Sequence, residues 1–189
     1  DLPEAIGASD AAISLLLPGQ SEPFATAAAS WSAYAHALRG EWDPTRTSVE
    51  DLLQRWIHTG RPAASYALQG VLSGIDWARN RGDEQSLERW RSVAESIVGQ
   101  FSPEHPVAAI SAIVTLDLDG CADIVVRHER YPDRAHYVEH ALALCADRRH
   151  PVPQPALDEI LERARRVGLR VLEAQALRQR GLVDASEAD

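Results

Sequence analysis

The chain has 189 residues, of which 45% are hydrophobic and 25% are charged, and this composition is typical of a soluble globular domain with one substantial core. No apolar run approaches the ~18 residues that a membrane helix requires, which argues against a membrane span. The net charge of −9 argues against direct nucleic-acid binding, because phosphate contacts depend on clustered positive charge.

Cysteine and arginine usage bear on the compartment and the source. Cys121 and Cys145 lack a Cys-x-x-Cys spacing, and we expect both to be small buried hydrophobic residues in a reducing cytoplasm. All 19 basic residues are arginine, which suggests a GC-rich bacterial genome. The absence of an initiator methionine suggests a fragment or a processed chain.

Residues 1–20 contain one apolar run, at 11–17, before a Pro-Gly pair, and we expect a short N-terminal helix or a frayed segment here. The next helix is predicted at 21–39, where apolar residues recur at helical spacing and indicate a buried face. That face comprises Phe24, Ala28, Trp31, Ala35 and Leu38.

A second helix is predicted to follow a turn at Asp43 and Pro44. Thr47 and Glu50 fit a capping box, in which each side chain satisfies a free backbone amide of the other, so we expect the helix to begin there. Gly60 marks its end.

Residues 61–101 predict two helices that fold back on each other. Both carry apolar residues at helical spacing, and Gly82 and Asp83 lie between them. Glycine ends a helix in the left-handed conformation, and aspartate caps the next one. The predicted apolar positions are Ala64, Leu68, Val71, Leu72, Ile75 and Ala78 in the first helix, and Leu87, Trp90, Ala94, Ile97, Val98 and Phe101 in the second.

The first helix of this hairpin also carries a row of polar residues, which is the candidate ligand- or partner-binding surface. In stacked helical hairpins such a row often lines the concave binding face. The alternative is that it is simply the wet side of an amphipathic helix. The candidate residues are Tyr66, Gln69, Ser73, Asp76 and Asn80.

Prolines in the segment 102–106 predict a bend. Residues 107–127 are rich in isoleucine and valine, so they fit either a helix or a strand hairpin, and we favour helix because the chain offers no other strand to pair with. Further helices are predicted at 133–150, 155–167 and 169–180. We interpret 21–182 as one helical-repeat domain and 183–189 as a disordered tail.

Residues 155–182 resemble the step between two helices of divergent tetratricopeptide repeats, in which Ala-Arg-x-x-Gly precedes a helix with Glu-Ala-x-Ala-Leu and a glycine. The matching residues are Ala164, Arg165 and Gly168, then Glu173, Ala174, Ala176, Leu177 and Gly181. Residues 21–83 and 133–151 are similar to helical-repeat regions of bacterial signal-transducing ATPase-type regulators. This resemblance implies the ligand- or partner-sensing part of such a regulator and not its catalytic part.

Two further sets of residues are candidate sites. His136, Glu139 and His140 have the His-x-x-Glu-His order of inverted zinc peptidases, but we expect them on a solvated helix flank.

Trp56 and Trp90, like Trp31, occupy apolar stripe positions and are predicted to be core. The two remaining tryptophans do not, and one of them is expected in an exposed groove; these are Trp42 and Trp77.

The sequence therefore predicts an all-α fold of antiparallel helical hairpins stacked as a short tetratricopeptide-like solenoid. It holds no phosphate-binding glycine loop, nucleophile elbow or paired-cysteine zinc site, so we expect a non-catalytic recognition module without a cofactor or metal. The expected partner is a protein or a small-molecule effector, in a cytoplasmic bacterial signalling or transcription regulator. The alternative is a helical metal-dependent hydrolase that uses His136, Glu139 and His140.

Overall fold

The computed structural model describes residues 22–130 and 135–187, with side chains to 182, and a few single positions before residue 22. The helix or frayed segment expected at 1–20 therefore lies almost entirely outside the described residues. The chain divides into two compact units, with unit 1 ending at Ser102 and unit 2 beginning at Pro103. This division falls in the segment where the sequence predicts a bend.

Every element of the described ranges is helical, so the all-α expectation is confirmed. The four helices of unit 1 are α1 (Glu22–Leu38), α2 (Trp42–His58), α3 (Leu68–Arg81) and α4 (Glu84–Val98). The five of unit 2 are α5 (Ile110–Thr115), α6 (Leu118–Val126), α7 (Ala135–Asp147), α8 (Gln154–Val167) and α9 (Arg170–Glu187). Short 3-10 turns occur at Ser65–Ala67, Pro106–Ala109 and His128–Arg130.

The ambiguous segment 107–127 is helical, as favoured, because α5 and α6 both lie within it. Leu116 adopts a left-handed φ of 58° between them, and the Asp117 side chain caps α6 by accepting a hydrogen bond from the Gly120 N–H. At the other end of unit 2, α9 continues to Glu187. The end expected near Arg180 is therefore inside the helix, and the backbone of 183–187 is helical where a disordered tail was expected.

The predicted capping box is wrong. Helix α2 begins at Trp42, and Pro44 lies in its first turn, where the missing N–H of proline costs nothing because those amides have no intrahelical partner. The Thr47 hydroxyl donates back to the carbonyl of Asp43, as hydroxyls inside helices do. Asp43 and Pro44 therefore belong to the first turn of α2, whereas we expected them to form a turn before it.

The hairpin of α3 and α4 follows the prediction closely. Gly82 has a left-handed φ of 66°, and the Asp83 carboxylate accepts hydrogen bonds from the backbone and side chain of Ser86, which lower the pKa of Asp83. The six apolar positions predicted for the first helix are buried, although Ala64 precedes α3. Leu87, Trp90, Ala94 and Ile97 of α4 are buried too, whereas Val98 and Phe101 are only partly buried. The local turn signals and the apolar periodicity therefore agree on one structure.

Helix α3 is the centre of unit 1, since it packs against α1, α2 and α4. Ten of its 14 residues are buried. Two glycines allow its neighbours to approach closely: a Cβ at Gly70 would lie 2.9 Å from the Ser30 Cα, and a Cβ at Gly74 would lie 2.8 Å from the Val49 Cγ1. These two close approaches therefore depend on the missing side chains of Gly70 and Gly74.

The face of α1 that meets α3 is not the predicted one. Ala25, Ala29, Ser30 and Ala33 are buried, whereas Phe24 is 73% exposed and Trp31 is 51% exposed. The physical reason is the close approach at Gly70, because two helix axes come nearest where the side chains between them are small. The expectation that Trp31 belongs to the core is wrong, whereas the same expectation for Trp56 and Trp90 is confirmed.

Ser30 joins α1 to the start of α3. The Gly70 N–H, which has no partner inside its own helix, donates to the Ser30 Oγ at 2.8 Å, and the Ser30 hydroxyl donates to the Ala67 carbonyl at 3.3 Å. Both hydrogen bonds are buried. Ser30 therefore caps α3 from a neighbouring helix, while the residue before α3 provides no side-chain cap.

We expect Ser30→Ala to lower the free energy of unfolding of unit 1 by about 1–3 kcal/mol, because the Gly70 amide would remain buried without an acceptor. Urea unfolding followed by tryptophan fluorescence measures this loss. Ser32→Ala is the matched control, since Ser32 is also buried in α1 but does not cap α3. Equal losses for the two variants would contradict a capping role for Ser30.

Unit 2 repeats the hairpin pattern with other residues. Helices α6 and α7 pack together, as do α8 and α9, and α9 also packs against α7. The Gln179 side-chain amide donates to the His150 carbonyl at 2.7 Å, and Arg178 pairs with Asp147 at 2.7 Å, so α9 is tied to the end of α7. Among the described residues, no helix is long and apolar enough to cross a membrane.

Candidate recognition surface

The five predicted binding residues do not form one open surface. Gln69 is 4% exposed and Ser73 is fully buried, with its hydroxyl donating to the Gln69 carbonyl at 3.0 Å. Tyr66 and Asn80 are exposed at the two ends of the row, and Asp76 is half-buried beside Arg79 at 2.8 Å. Because α3 is covered by three helices, the middle of its polar row belongs to the interior.

The predicted solvated flank of α7 is also buried. Glu139 is 8% exposed and His140 is 9% exposed, while the ring of His136 lies edge-on to Tyr137 with centroids 4.4 Å apart. Helix α7 is covered by α6 on one side and by α9 on another, so few of its positions face water. Within the described ranges, no group of three or more His, Cys, Asp or Glu side chains could hold a metal ion.

The remaining sequence candidates were two tryptophans outside the apolar stripes. Trp77 is 8% exposed, with the Arg46 guanidinium 5.4 Å from its ring centroid, and Trp42 is only partly exposed. Trp77 therefore contributes to the core and does not line a groove. The exposed groove expected at one of these tryptophans is therefore not formed by Trp77.

The outer side of α1 exposes most of the large aromatic surface in unit 1. We call it the α1 aromatic face and define it as Phe24, Ala28, Trp31, Tyr34 and Leu38. Phe24 and Trp31 are exposed, and the other three are partly exposed. The rings of Trp31 and Tyr34 make an edge-to-face contact with centroids 6.1 Å apart.

Charges occur only at the two ends of this face. From Pro23 to Leu38 the sequence has no Asp, Glu, Lys or Arg. At the start of α1, Glu22 pairs with Arg55 at 3.4 Å, and just after its end Glu41 pairs with Arg39 and with the Nδ1 of His36, both at 2.6 Å. The middle of the α1 aromatic face is therefore apolar over about 20 Å of helix.

Four of these residues, Phe24, Ala28, Trp31 and Leu38, are predicted from the sequence as core positions. The missing signal was the second face of α1, in which Ala25, Ala29 and Ala33 alternate with buried serines. A helix with one small-residue face and one aromatic face can bury only one of them against a glycine of its neighbour, and the small one fits.

Unit 2 contains an open polar cleft of about 400 Å³ between the His128–Arg130 turn and α8. It is lined by His128, Glu129, Glu159, Glu162, Arg163 and Arg166. His128 is 4% exposed, with its Nδ1 3.2 Å from the Val125 carbonyl oxygen, and Glu162 lies 4.0 Å from Arg166. The cleft carries charges of both signs and has no strong preference for a ligand of one sign.

The chain matches no protein-family model, no curated protein and no solved structure. The resemblance to tetratricopeptide repeats stays a prediction from the residues. Among the described residues, Phe24 and Trp31 of the α1 aromatic face are the two most exposed aromatic side chains.

Proposed function

We propose that the chain is a non-catalytic protein-recognition module whose contact surface is the α1 aromatic face. The observation that carries this proposal is the exposure of Phe24 (73%) and Trp31 (51%) on a helix without charges between its ends. Covering a side chain of this size is worth about 1.5–3 kcal/mol, and tryptophan is enriched among the residues that dominate interface energies.

The packing beneath the face supports the same function. Helix α1 is held on its inner side by α2 and α3, with Ser30 hydrogen-bonded to the backbone of α3. A contact surface on a helix fixed in this way needs little ordering when a partner binds, and this lowers the entropic cost of association. The α1 aromatic face is thus a preformed surface.

The setting that we propose for this function rests on the sequence. The tetratricopeptide-like resemblance supports a sensor or scaffold part of a bacterial signalling or transcription regulator, in which helical hairpins stack as a short solenoid. The free cysteines Cys121 and Cys145 are consistent with a cytoplasmic location. Phe24 and Trp31, rather than the predicted row on α3, are the proposed contact residues.

Photo-crosslinking in the source cell tests the proposal. With p-benzoylphenylalanine in place of Phe24, we expect covalent protein adducts on irradiation. The same probe in place of Val167 is the matched control, because Val167 is 60% exposed in the other unit. Adducts from position 24 but not 167 support the proposal; no adduct from position 24, or equal adducts from both, overturns it.

A further inference from the structure

We propose that the partner on the α1 aromatic face is a second copy of this chain, with the two α1 helices antiparallel and Trp31 on the twofold axis. This inference rests on the proposed function. The residues of the face are evenly spaced about Trp31 in the sequence. Phe24 and Leu38 each lie seven residues from it, and Ala28 and Tyr34 each lie three residues from it.

A twofold interface pairs positions reciprocally, and the even spacing about Trp31 lets every residue of the face find a partner. In such an interface the same surface is used by both chains, so that whenever residue i of one meets residue j of the other, j also meets i. Around Trp31, antiparallel helices place Phe24 opposite Leu38 and Ala28 opposite Tyr34 of the second copy. Each small or flexible side chain then faces a large ring, so the two faces can interdigitate.

Charge supports the antiparallel direction. The only acidic residue of α1 is Glu22, at its first position, and Arg39 follows its last position. Antiparallel pairing sets the partial positive charge of each helix start beside the partial negative charge of a helix end. Glu22 pairs with Arg55 and Arg39 pairs with Glu41 within each copy, so each end of the interface would join ion pairs that are already balanced. Between these ends no charged side chain opposes contact, although the whole chain carries −9.

The size of the face sets the expected strength. A helix of 17 residues is about 25 Å long, and its footprint is smaller than the ~800 Å² per partner of a tight complex. We therefore expect a dimer that dissociates on dilution.

Sedimentation velocity of the full chain from about 1 µM to 0.5 mM is the first test, over the range in which interfaces of this size associate. We expect a monomer–dimer equilibrium, and we expect Trp31→Arg to raise its dissociation constant by at least about tenfold, because two like charges would meet on the axis. Val167→Arg, at a similarly exposed site of unit 2, should leave the dissociation constant unchanged. Circular dichroism confirms that both variants are folded.

Cysteine crosslinking tests the register. We expect Phe24→Cys mixed with Leu38→Cys to form an intermolecular disulfide. Phe24→Cys alone should form none, because antiparallel helices separate the two copies of position 24 by about 21 Å. The native cysteines are fully buried and do not interfere. Crosslinking of Phe24→Cys to itself would overturn the antiparallel arrangement.

The outcomes separate this inference from the proposed function. A chain that remains monomeric at the highest concentration, but yields an adduct with a different protein from position 24, overturns the second copy and leaves the recognition function standing. A monomer without any adduct from position 24 overturns both. An adduct with twice the mass of the chain, together with the concentration-dependent dimer, supports both.

Discussion

Gly70→Ala is expected to lower the free energy of unfolding of unit 1 by about 1–3 kcal/mol, although alanine is normally the better helix former. The added Cβ would lie 2.6 Å from the Leu52 Cδ2 and 2.9 Å from the Ser30 Cα. The second of these is backbone, so α1 and α3 must move apart. Urea unfolding followed by tryptophan fluorescence measures the change in unit 1 alone, because all five tryptophans lie in residues 31–90.

Gly181→Ala is the matched control. It lies within α9, and a Cβ there would meet nothing within 4 Å. We expect this substitution to stabilise unit 2 by about 0.5–1 kcal/mol, the usual gain in helix propensity, as measured by far-ultraviolet circular dichroism. The same chemical change should thus have opposite signs at the two positions. A neutral or stabilising Gly70→Ala would mean that α1 and α3 are farther apart than described.

Alkaline pH is expected to destabilise unit 2. Burial raises the pKa of Cys121 to about 12, with a smaller contribution from the neighbouring Cys145 thiol, and burial raises the pKa of Cys145 to about 11. Both thiols ionise near pH 9 when the chain is unfolded, so between that pH and about 11–12 the folded state binds more protons. The free energy of unfolding of unit 2 therefore falls as pH rises through this window. At pH 10 the two thiols together lower it by about 3 kcal/mol.

Chemical denaturation of unit 2 at pH 8 and pH 10 measures this loss. A Cys121→Ala, Cys145→Ala variant is the control, and its stability should change less between the two pH values, whatever the cost of the substitutions themselves. Alkylation with iodoacetamide gives an independent readout, because the thiolate is the reactive form. We expect both native thiols to react only on unfolding. If they react as fast as a free cysteine in the folded chain, the buried pair is excluded.

The α3–α4 hairpin could be predicted from the sequence because each of its determinants is local. Apolar periodicity identified the buried residues, and Gly82 and Asp83 identified the turn and the cap. The orientation of α1 could not be predicted in this way. Its sequence offers two faces, and the choice between them depends on the space at Gly70, which lies 40 residues from its contact Ser30.

The burial of Gln69 and Ser73 in the predicted binding row could not be foreseen, for a related reason. Gln69 and Ser73 are polar, and a polar row on a two-sided helix faces water. Helix α3 has three neighbours, and the number of neighbours is a property of the fold and not of the helix sequence. The buried Ser73 satisfies its hydroxyl within its own helix, so burial leaves no signature in the local pattern.

The short connections of unit 1 favour rapid folding. Three residues separate α1 from α2, and two separate α3 from α4, so much of its packing joins helices that are close neighbours along the chain. Folds with such local contacts form rapidly, in microseconds to milliseconds, whereas ribosomes add only about 5–20 residues per second. Unit 1 is therefore expected to fold while unit 2 is still being synthesised, and a nascent chain would already display Phe24 and Trp31.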